Sequence, residues 1–125
     1  MSGASPGKKV LVFDDSPFVL AVTQHALERE GFRVTVASDL TSFEAAREAA
    51  PPDLILVDVQ MPEAFGDDVA STLRGFRGVR VPILLVSNLD DPELRQRAID
   101  AEVDGWVSKR HGLPELVRRV KEILA

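Results

Sequence analysis

The sequence of 125 residues contains no cysteine and no tyrosine, and it has only two histidines. Without thiolates the chain has no disulfide framework and no sulfur-ligated metal site. Basic residues are also in the minority, with 15 against 20 acidic ones, and the formal net charge is -5. Binding to nucleic acid or to a membrane surface through phosphate contacts needs clustered positive charge, so we expect neither as a direct activity.

Long hydrophobic runs are missing as well. No apolar stretch approaches the ~20 residues that cross a bilayer, and the first seven residues, MSGASPG, are small or polar. We therefore expect a cytoplasmic protein with a flexible tail over residues 1–7 and one domain over residues 8–125. Hydrophobic residues make up 45% of the chain, which is sufficient for a core on both sides of a sheet.

The sequence does contain a regular alternation of short apolar runs and segments with helical periodicity. This alternation predicts an α/β fold with a parallel sheet. Ser16 before Pro17 and Asp91 before Pro92 are typical of an N-cap followed by the first turn of a helix. Strands are predicted near residues 9–14, 33–37, 54–58, 82–87 and 105–108.

Polar side chains stand at the ends of four of these apolar runs. Asp14 and Asp15 follow the first, Asp58 ends the third, Ser87 ends the fourth and Lys109 follows the fifth. Parallel strands deliver their carboxyl ends to one edge of a sheet, where ligands bind, so these side chains should converge. Carboxylates with a hydroxyl and an ammonium are suited to a divalent cation and a phosphoryl group.

Taken one at a time, these residues have ordinary structural interpretations. Asp14 and Asp15 could cap the first helix, and Asp58 or Ser87 could begin a turn. Lys109 could be a solvated surface lysine. The acidic first turn does argue against a nucleotide, because a loop that cradles phosphates with backbone amides needs glycine and positive character.

Five motifs in fixed order resemble the receiver domain of two-component response regulators over residues 8–124, most closely the stand-alone receiver of chemotaxis. They are FDDS at 13–16, LILVDVQMP at 54–62, Gly66, ILLVS at 83–87 and DGWVSK at 104–109. The resemblance implies a flavodoxin-like, doubly wound sheet of five parallel strands in the order 2-1-3-4-5, with five helices.

The resemblance also implies roles for individual residues. Asp58 would accept a phosphoryl group from a histidine kinase or a histidine phosphotransfer protein, so the chain would catalyse its own phosphorylation and dephosphorylation without being a conventional enzyme. Mg²⁺ or Mn²⁺ would be held by Asp14, Asp15, Asp58 and the backbone carbonyl of Gln60. The carboxylates repel one another without the cation.

Two further residues complete the implied site. Lys109 would pair with Asp58 or with its phosphate, and Ser87 would donate a hydrogen bond to the phosphoryl group. Trp106 stands where the family has an aromatic switch residue, which moves with the hydroxyl group at the position of Ser87. Phosphorylation would then alter binding of a downstream protein on the face formed by residues 92–124.

Several positions depart from the family pattern, among them Phe65, Leu89, Glu102 and Arg110. Arg110 follows Lys109 where a cis proline is common, and a cis bond before a residue other than proline costs about 2.5–4 kcal/mol. The bond between Lys109 and Arg110 could therefore be trans, and the Lys109 side chain would then extend to a different position. Glu102 stands where a glycine is common at the end of a helix.

Three alternatives stay open at this point. A pseudo-receiver would keep the fold and signal without phosphate, although the complete set of polar residues argues against it. A small hydrolase of phosphate esters would need a general acid and a substrate cap, for which 125 residues leave no room. A flavodoxin-like cofactor carrier would not have the acidic first turn.

Overall fold

The computed structural model of the protein describes residues 7–59 and 80–125. Five strands form one parallel sheet in the order β2-β1-β3-β4-β5. The predicted fold class and strand order are confirmed, and each predicted strand agrees with the observed one to within a residue at either end. The strands are β1 (Lys9–Phe13), β2 (Arg33–Ala37), β3 (Leu54–Asp58), β4 (Ile83–Ser87) and β5 (Gly105–Ser108).

Helices cover both faces of this sheet. The described residues contain four α-helices and one short 3₁₀ helix, and none of these is long and apolar enough to cross a membrane. The fifth predicted helix would fall between β3 and β4, on residues outside the described ranges. The helices are α1 (Pro17–Glu28), α2 (Leu40–Ala49), α3 (Asp91–Ala101) and α4 (Leu113–Leu124), and the 3₁₀ helix covers Lys109–His111.

The N-caps show why the helices begin where they do. Ser16 caps α1 as predicted, since its Oγ accepts a hydrogen bond from the Val19 N–H at 3.3 Å. For α3 the predicted cap was one residue off. Asp90 is the cap and its Oδ1 accepts from the Glu93 N–H at 3.1 Å, so Asp91 is already helical. Proline fits any position in the first turn, where its missing N–H has no intrahelical partner, and the sequence therefore leaves the choice between the two aspartates open.

Helix α2 begins with a reciprocal capping box. The Ser42 N–H donates to the Asp39 carboxylate at 2.7 Å, and the Ser42 Oγ accepts from the Asp39 N–H at 3.3 Å. This backbone donor is the main reason why the pKa of Asp39 lies below its ordinary value of 3.8.

The core lies in two layers because successive strand residues point to opposite faces. On one face α2 and α3 cover the sheet, and the rings of Phe13 and Phe43 stack with centroids 4.7 Å apart. On the other face α1 and α4 pack through Leu20, Leu27 and Val120. The three central strands are buried on both faces, so they hold their carboxyl ends in fixed positions relative to one another.

Candidate functional site

The carboxyl ends of β1 and β3 bring three carboxylates together. Asp14 and Asp58 are buried, with 3% and 5% of their surface exposed, whereas Asp15 is exposed. Each of the three offers an oxygen within 4.8 Å of the others. We call Asp14, Asp15 and Asp58 the acidic cluster. The strand register explains why Asp14 and Asp58 meet. Strands β1 and β3 are neighbours, and Phe13 pairs with Val57, so the next residue along each strand is one of the two buried aspartates.

Lys109 supplies the positive charge that faces this cluster. Its Nζ lies 2.8 Å from Asp14 Oδ2 and 3.8 Å from Asp58 Oδ1, and its side chain is 21% exposed. No peptide bond within the described ranges is cis, so the bond from Lys109 to Arg110 is trans. Lys109 reaches the acidic cluster with this trans bond.

Asp14 is held on both of its carboxylate oxygens. Oδ1 accepts from the Ser16 N–H at 2.9 Å, while Oδ2 contacts Lys109. The Asp14 N–H in turn donates to the Ala37 carbonyl at 3.1 Å. Asp14 is therefore fixed by neighbours on three elements, whereas the exposed carboxylate of Asp15 faces solvent.

The acidic cluster has the chemistry of a site for a hard divalent cation. Mg²⁺ and Mn²⁺ prefer oxygen ligands, and Mg²⁺ is usually bound through one or two carboxylates while it keeps several waters. Three carboxylates facing one ammonium leave an excess of negative charge that a divalent cation would neutralise. The residues present therefore fit such an ion. Gln60, whose carbonyl was predicted as a further ligand, lies outside the described residues.

Ser87 ends β4 at the same edge of the sheet and is completely buried. Its Oγ accepts a hydrogen bond from the Leu89 N–H at 3.2 Å. The hydroxyl group is thus coupled to the loop that leads into α3. We call residues 88–90, together with Asp91 at the start of α3, the switch loop.

Three contacts join the switch loop to the last residue of β5 and to the residues that follow it. Ser108 Oγ donates to the Leu89 carbonyl at 3.1 Å, and Arg110 Nε donates to the Asn88 carbonyl at 2.7 Å. The third contact joins His111 Nε2 and Asp91 Oδ2 at 3.0 Å.

Sequence reasoning missed the role of Ser108 in this arrangement. Its Oγ also accepts from the Arg110 N–H at 3.2 Å and so caps the 3₁₀ helix that begins at Lys109. A serine directly before the lysine at the end of a strand was the available signal, because serine is a common cap residue.

Trp106 lies on β5, two residues before Ser108. It is half-buried and packs against the core on the α2 and α3 face of the sheet. On its outer side it lines a surface depression together with Asp91, His111, Glu115 and Arg119. At the rim of that depression, a hydrogen bond from Arg118 holds the pKa of Glu115 below its usual range.

Comparisons with known proteins agree with this geometry. The family model described as "Response regulator receiver domain" matches residues 10–121. The chain is 35% identical over 115 residues to the probable transcriptional regulatory protein TcrX of Mycobacterium tuberculosis, covering 92% of this chain and 49% of that protein. It is 33% identical over 117 residues to the alkaline phosphatase synthesis transcriptional regulatory protein PhoP of Bacillus subtilis, covering 94% and 48%.

Solved structures with the same fold cover nearly the whole chain. The chemotaxis protein CheY4 of Vibrio cholerae superposes with a TM-score of 0.84 at 28% identity, covering 94% of this chain and 99% of that one. The receiver domain of the Francisella response regulator 1452 gives a TM-score of 0.85 at 26% identity, with 94% and 97% covered. The chain thus spans about half the length of the curated relatives it matches, but almost all of these two solved chains.

Proposed function

Because this chain belongs to the receiver domains of two-component response regulators, we propose that it accepts a phosphoryl group on Asp58 and that phosphorylation switches its binding to a partner. The observation that carries this proposal is the buried carboxylate of Asp58 at the end of β3, with Asp14, Asp15 and Lys109 around it. Receiver domains are signalling modules, and the chemistry proposed here is a single transfer to the protein itself.

The phosphoryl donor we propose is a phosphohistidine on a histidine kinase or a phosphotransfer protein. A carboxylate oxygen of Asp58 forms a bond to phosphorus while the bond from phosphorus to the histidine nitrogen breaks, and the imidazole leaves with that electron pair. Such a step depends mainly on positioning and on neutralising the charge of the phosphoryl oxygens.

Asp14, Asp15 and Asp58, with the carbonyl of Gln60, would hold Mg²⁺ or Mn²⁺ beside the reacting group. When bound, the cation supplies positive charge to the carboxylates and to the phosphoryl oxygens. The contacts of Asp14 define its part. Both of its oxygens already accept hydrogen bonds, so Asp14 would act on the cation chiefly through water, and the exposed Asp15 would contact it directly.

Lys109 is the residue we propose for charge stabilisation on the protein side. Its Nζ is within 4 Å of both Asp14 and Asp58, so it can pair with the Asp58 carboxylate before the transfer and with the attached phosphoryl group after it. In the unphosphorylated protein the same ammonium offsets part of the repulsion within the acidic cluster.

Ser87 and Trp106 are the residues we propose for the conformational response. Ser87 Oγ would donate a hydrogen bond to the new phosphoryl group, which adds about 1.5 to 2 negative charges. The Leu89 N–H, which donates to that hydroxyl in the present structure, would lose this acceptor, and the switch loop would change its conformation. Through Ser108 this change reaches β5 and Trp106.

The output surface we propose is the face formed by residues 92–124, which includes α3, β5 and α4. Its partner would be a protein that recognises the altered switch loop and Trp106. Because the curated relatives are about twice as long as this chain, their activity as transcriptional regulators is not transferred to it.

The direct test incubates the protein with Mg²⁺ and acetyl phosphate and follows intact mass and Trp106 fluorescence. We expect the mass of one phosphoryl group to be added and the fluorescence to change with the same time course. The addition should disappear in Asp58→Asn. Asp100→Asn is the matched control, because Asp100 is an exposed aspartate on α3, away from the site.

Other outcomes identify the alternatives. A protein that gains no phosphate from acetyl phosphate or from any phosphohistidine donor would be a pseudo-receiver. Continuous turnover of a phosphate ester, without a stable modified protein, would indicate a hydrolase. Phosphate that persists in Asp58→Asn would assign the acceptor to another residue.

A further inference from the structure

Two serine hydroxyl groups hold the backbone of Leu89 from neighbouring strands. The Leu89 N–H donates to Ser87 Oγ at 3.2 Å, and the Leu89 carbonyl accepts from Ser108 Oγ at 3.1 Å. Ser87 and Ser108 end β4 and β5 and pair with each other in the parallel register. Both are buried, with 0% and 2% of their surface exposed. One residue therefore links the hydroxyl group of Ser87 to the end of β5.

Ser108 also holds the backbone from which Lys109 extends. Lys109 is the first residue of the 3₁₀ helix, and Ser108 Oγ caps this helix by accepting the Arg110 N–H at 3.2 Å. The Lys109 carbonyl accepts from the Gly112 N–H at 3.1 Å. Because proline has no N–H, the cap requires a residue other than proline after Lys109. Hydrogen bonds on both sides of Lys109 thus fix its backbone.

Packing around the Lys109 side chain is incomplete. Lys109 lines a cavity of about 240 Å³ between the sheet, α1 and α4, whose other walls are mainly aliphatic. Its side chain is 21% exposed, and its Nζ lies 2.8 Å from Asp14 and 3.8 Å from Asp58. The position of the ammonium group therefore depends on the backbone of Lys109 and on this ion pair.

We propose that Ser108 is a positioning residue that couples Lys109 to the switch loop. The position of a serine Oγ is set by χ1, so one rotamer of Ser108 must serve both the Leu89 carbonyl and the Arg110 N–H. When Leu89 moves, Ser108 loses its acceptor, the rotamer is no longer fixed and the cap weakens. Lys109 can then move from Asp14 towards the phosphoryl group. This inference rests on the proposed function, because it concerns the regulation of the same site.

The first test measures the reactivity of Lys109 without a phosphodonor. An amine-specific acylating reagent labels the lysines, and peptide mass spectrometry gives the rate at Lys109 relative to that at Lys121 in the same molecule. In Ser108→Ala this ratio should rise about threefold or more, because lost hydrogen bonds shift the local equilibrium. In Ser108→Thr, which keeps a hydroxyl group, the ratio should stay within about twofold of that in the unaltered protein.

Ser42→Ala is the matched control for this test. Ser42 Oγ also accepts a backbone N–H and donates to a backbone carbonyl, both of Asp39, at the start of α2. Its removal should leave the labelling ratio unchanged, and circular dichroism checks that the variants are folded. An unchanged ratio in Ser108→Ala, or an equal rise in Ser42→Ala, would overturn the proposal.

The second test asks whether Ser108 acts through Lys109, and it follows phosphorylation by acetyl phosphate with Mg²⁺. Ser108→Ala should lower the rate at Asp58 by about tenfold, because the ammonium group is misplaced. In a Lys109→Met background the same substitution should change the rate by less than about twofold, since the group that Ser108 positions is already absent. Equal losses in the two backgrounds would show that Ser108 does not act through Lys109.

The two proposals can fail separately. If the unaltered protein accepts no phosphate, the proposed function fails, and the labelling experiment still decides the role of Ser108.

Hydrogen exchange of the unaltered protein gives a third measurement, which needs no variant. The protection of the Leu89 and Arg110 amides should agree within about tenfold, because the shared Ser108 hydroxyl group makes them open together. A larger difference would overturn the coupling.

Discussion

The acidic cluster and the switch loop lie at the same edge of the sheet, but they are held in different ways. Asp14 and Asp58 are buried at the ends of central strands and face a lysine within 4 Å. The switch loop is joined to the end of β5 and the residues after it by three contacts, two of them made by the exposed residues Arg110 and His111. A single such hydrogen bond contributes only about 0.5–1.5 kcal/mol.

This difference separates the proposed chemistry from the proposed response. Groups that neutralise a phosphoryl group must be in place before the reaction, because reorganising them would add to the barrier. A loop that reports the reaction must instead have a second arrangement within a few kcal/mol of the first. The two requirements are met a few residues apart because strand ends are rigid and the loops after them are exposed.

Removal of the Lys109 charge beside the acidic cluster should have the largest of the expected effects. In Lys109→Met the rate of Asp58 phosphorylation should fall by about 10²–10³-fold, because the ammonium beside Asp58 is then lost. Intact mass followed over time gives the rate. Lys121→Met, which alters a lysine of α4 that pairs with Glu30, should react at the normal rate. A rate in Lys109→Met close to that of this control would contradict the role of Lys109.

Loss of the exposed carboxylate should reduce cation binding. In Asp15→Asn the affinity for Mg²⁺ should fall by about 10- to 100-fold, because one of three negative charges is lost from the site. Titration of Trp106 fluorescence or calorimetry measures the affinity, and Asp100→Asn serves as the control. Unchanged affinity would place the cation away from Asp15.

A substitution at the carboxyl end of α3 should stabilise the folded protein without altering the acidic cluster. Glu102 has φ 58°, ψ 39°, the only residue other than glycine with positive φ in the described ranges. A side chain in this conformation costs about 1–2 kcal/mol, and the flexibility of glycine in the unfolded chain offsets about half of that. Glu102→Gly should therefore raise the free energy of unfolding by about 0.5–1 kcal/mol.

Urea denaturation measures this change. Glu102→Ala is the control, because alanine keeps the side-chain carbon that causes the strain and should leave the stability nearly unchanged. If both variants gain equally, the left-handed conformation is not the cause.

The most local effect should come from loosening the switch loop. In Arg110→Ala the Asn88 carbonyl loses its donor, and the Leu89 amide should exchange with solvent deuterium about three- to tenfold faster. Arg95→Ala, at an exposed arginine of α3, should leave this rate unchanged. Equal exchange rates in the two variants would show that Arg110 does not restrain the loop.

Much of the fold could be predicted because its signals are local. The runs VLVF and ILLV are continuous and apolar, which indicates strands buried on both faces, and both lie in central strands. The first helix begins at Ser16 and Pro17 as predicted. The start of α3 was one residue off, since two adjacent aspartates precede a proline that fits either position.

The candidate site was predictable for a different reason. Parallel strands place their carboxyl ends at one edge, so the order of the chain alone indicates that Asp14, Asp58, Ser87 and Lys109 converge. The links through Ser108 and Arg110 depend instead on the path of the chain at the end of β5 and in the 3₁₀ helix that follows. No periodicity in the sequence encodes that path.

The amino-acid sequence alone is enough to infer the alternation of strands and helices, the residues at the strand ends and the excess of acidic charge, because these depend on side-chain type and position along the chain. Tertiary packing sets three further features: Lys109 lies closer to Asp14 than to Asp58, Arg110 donates to the Asn88 carbonyl, and a cavity remains between α1 and α4. These features depend on how separate elements pack, and packing sets distances of a few ångströms that no local pattern specifies.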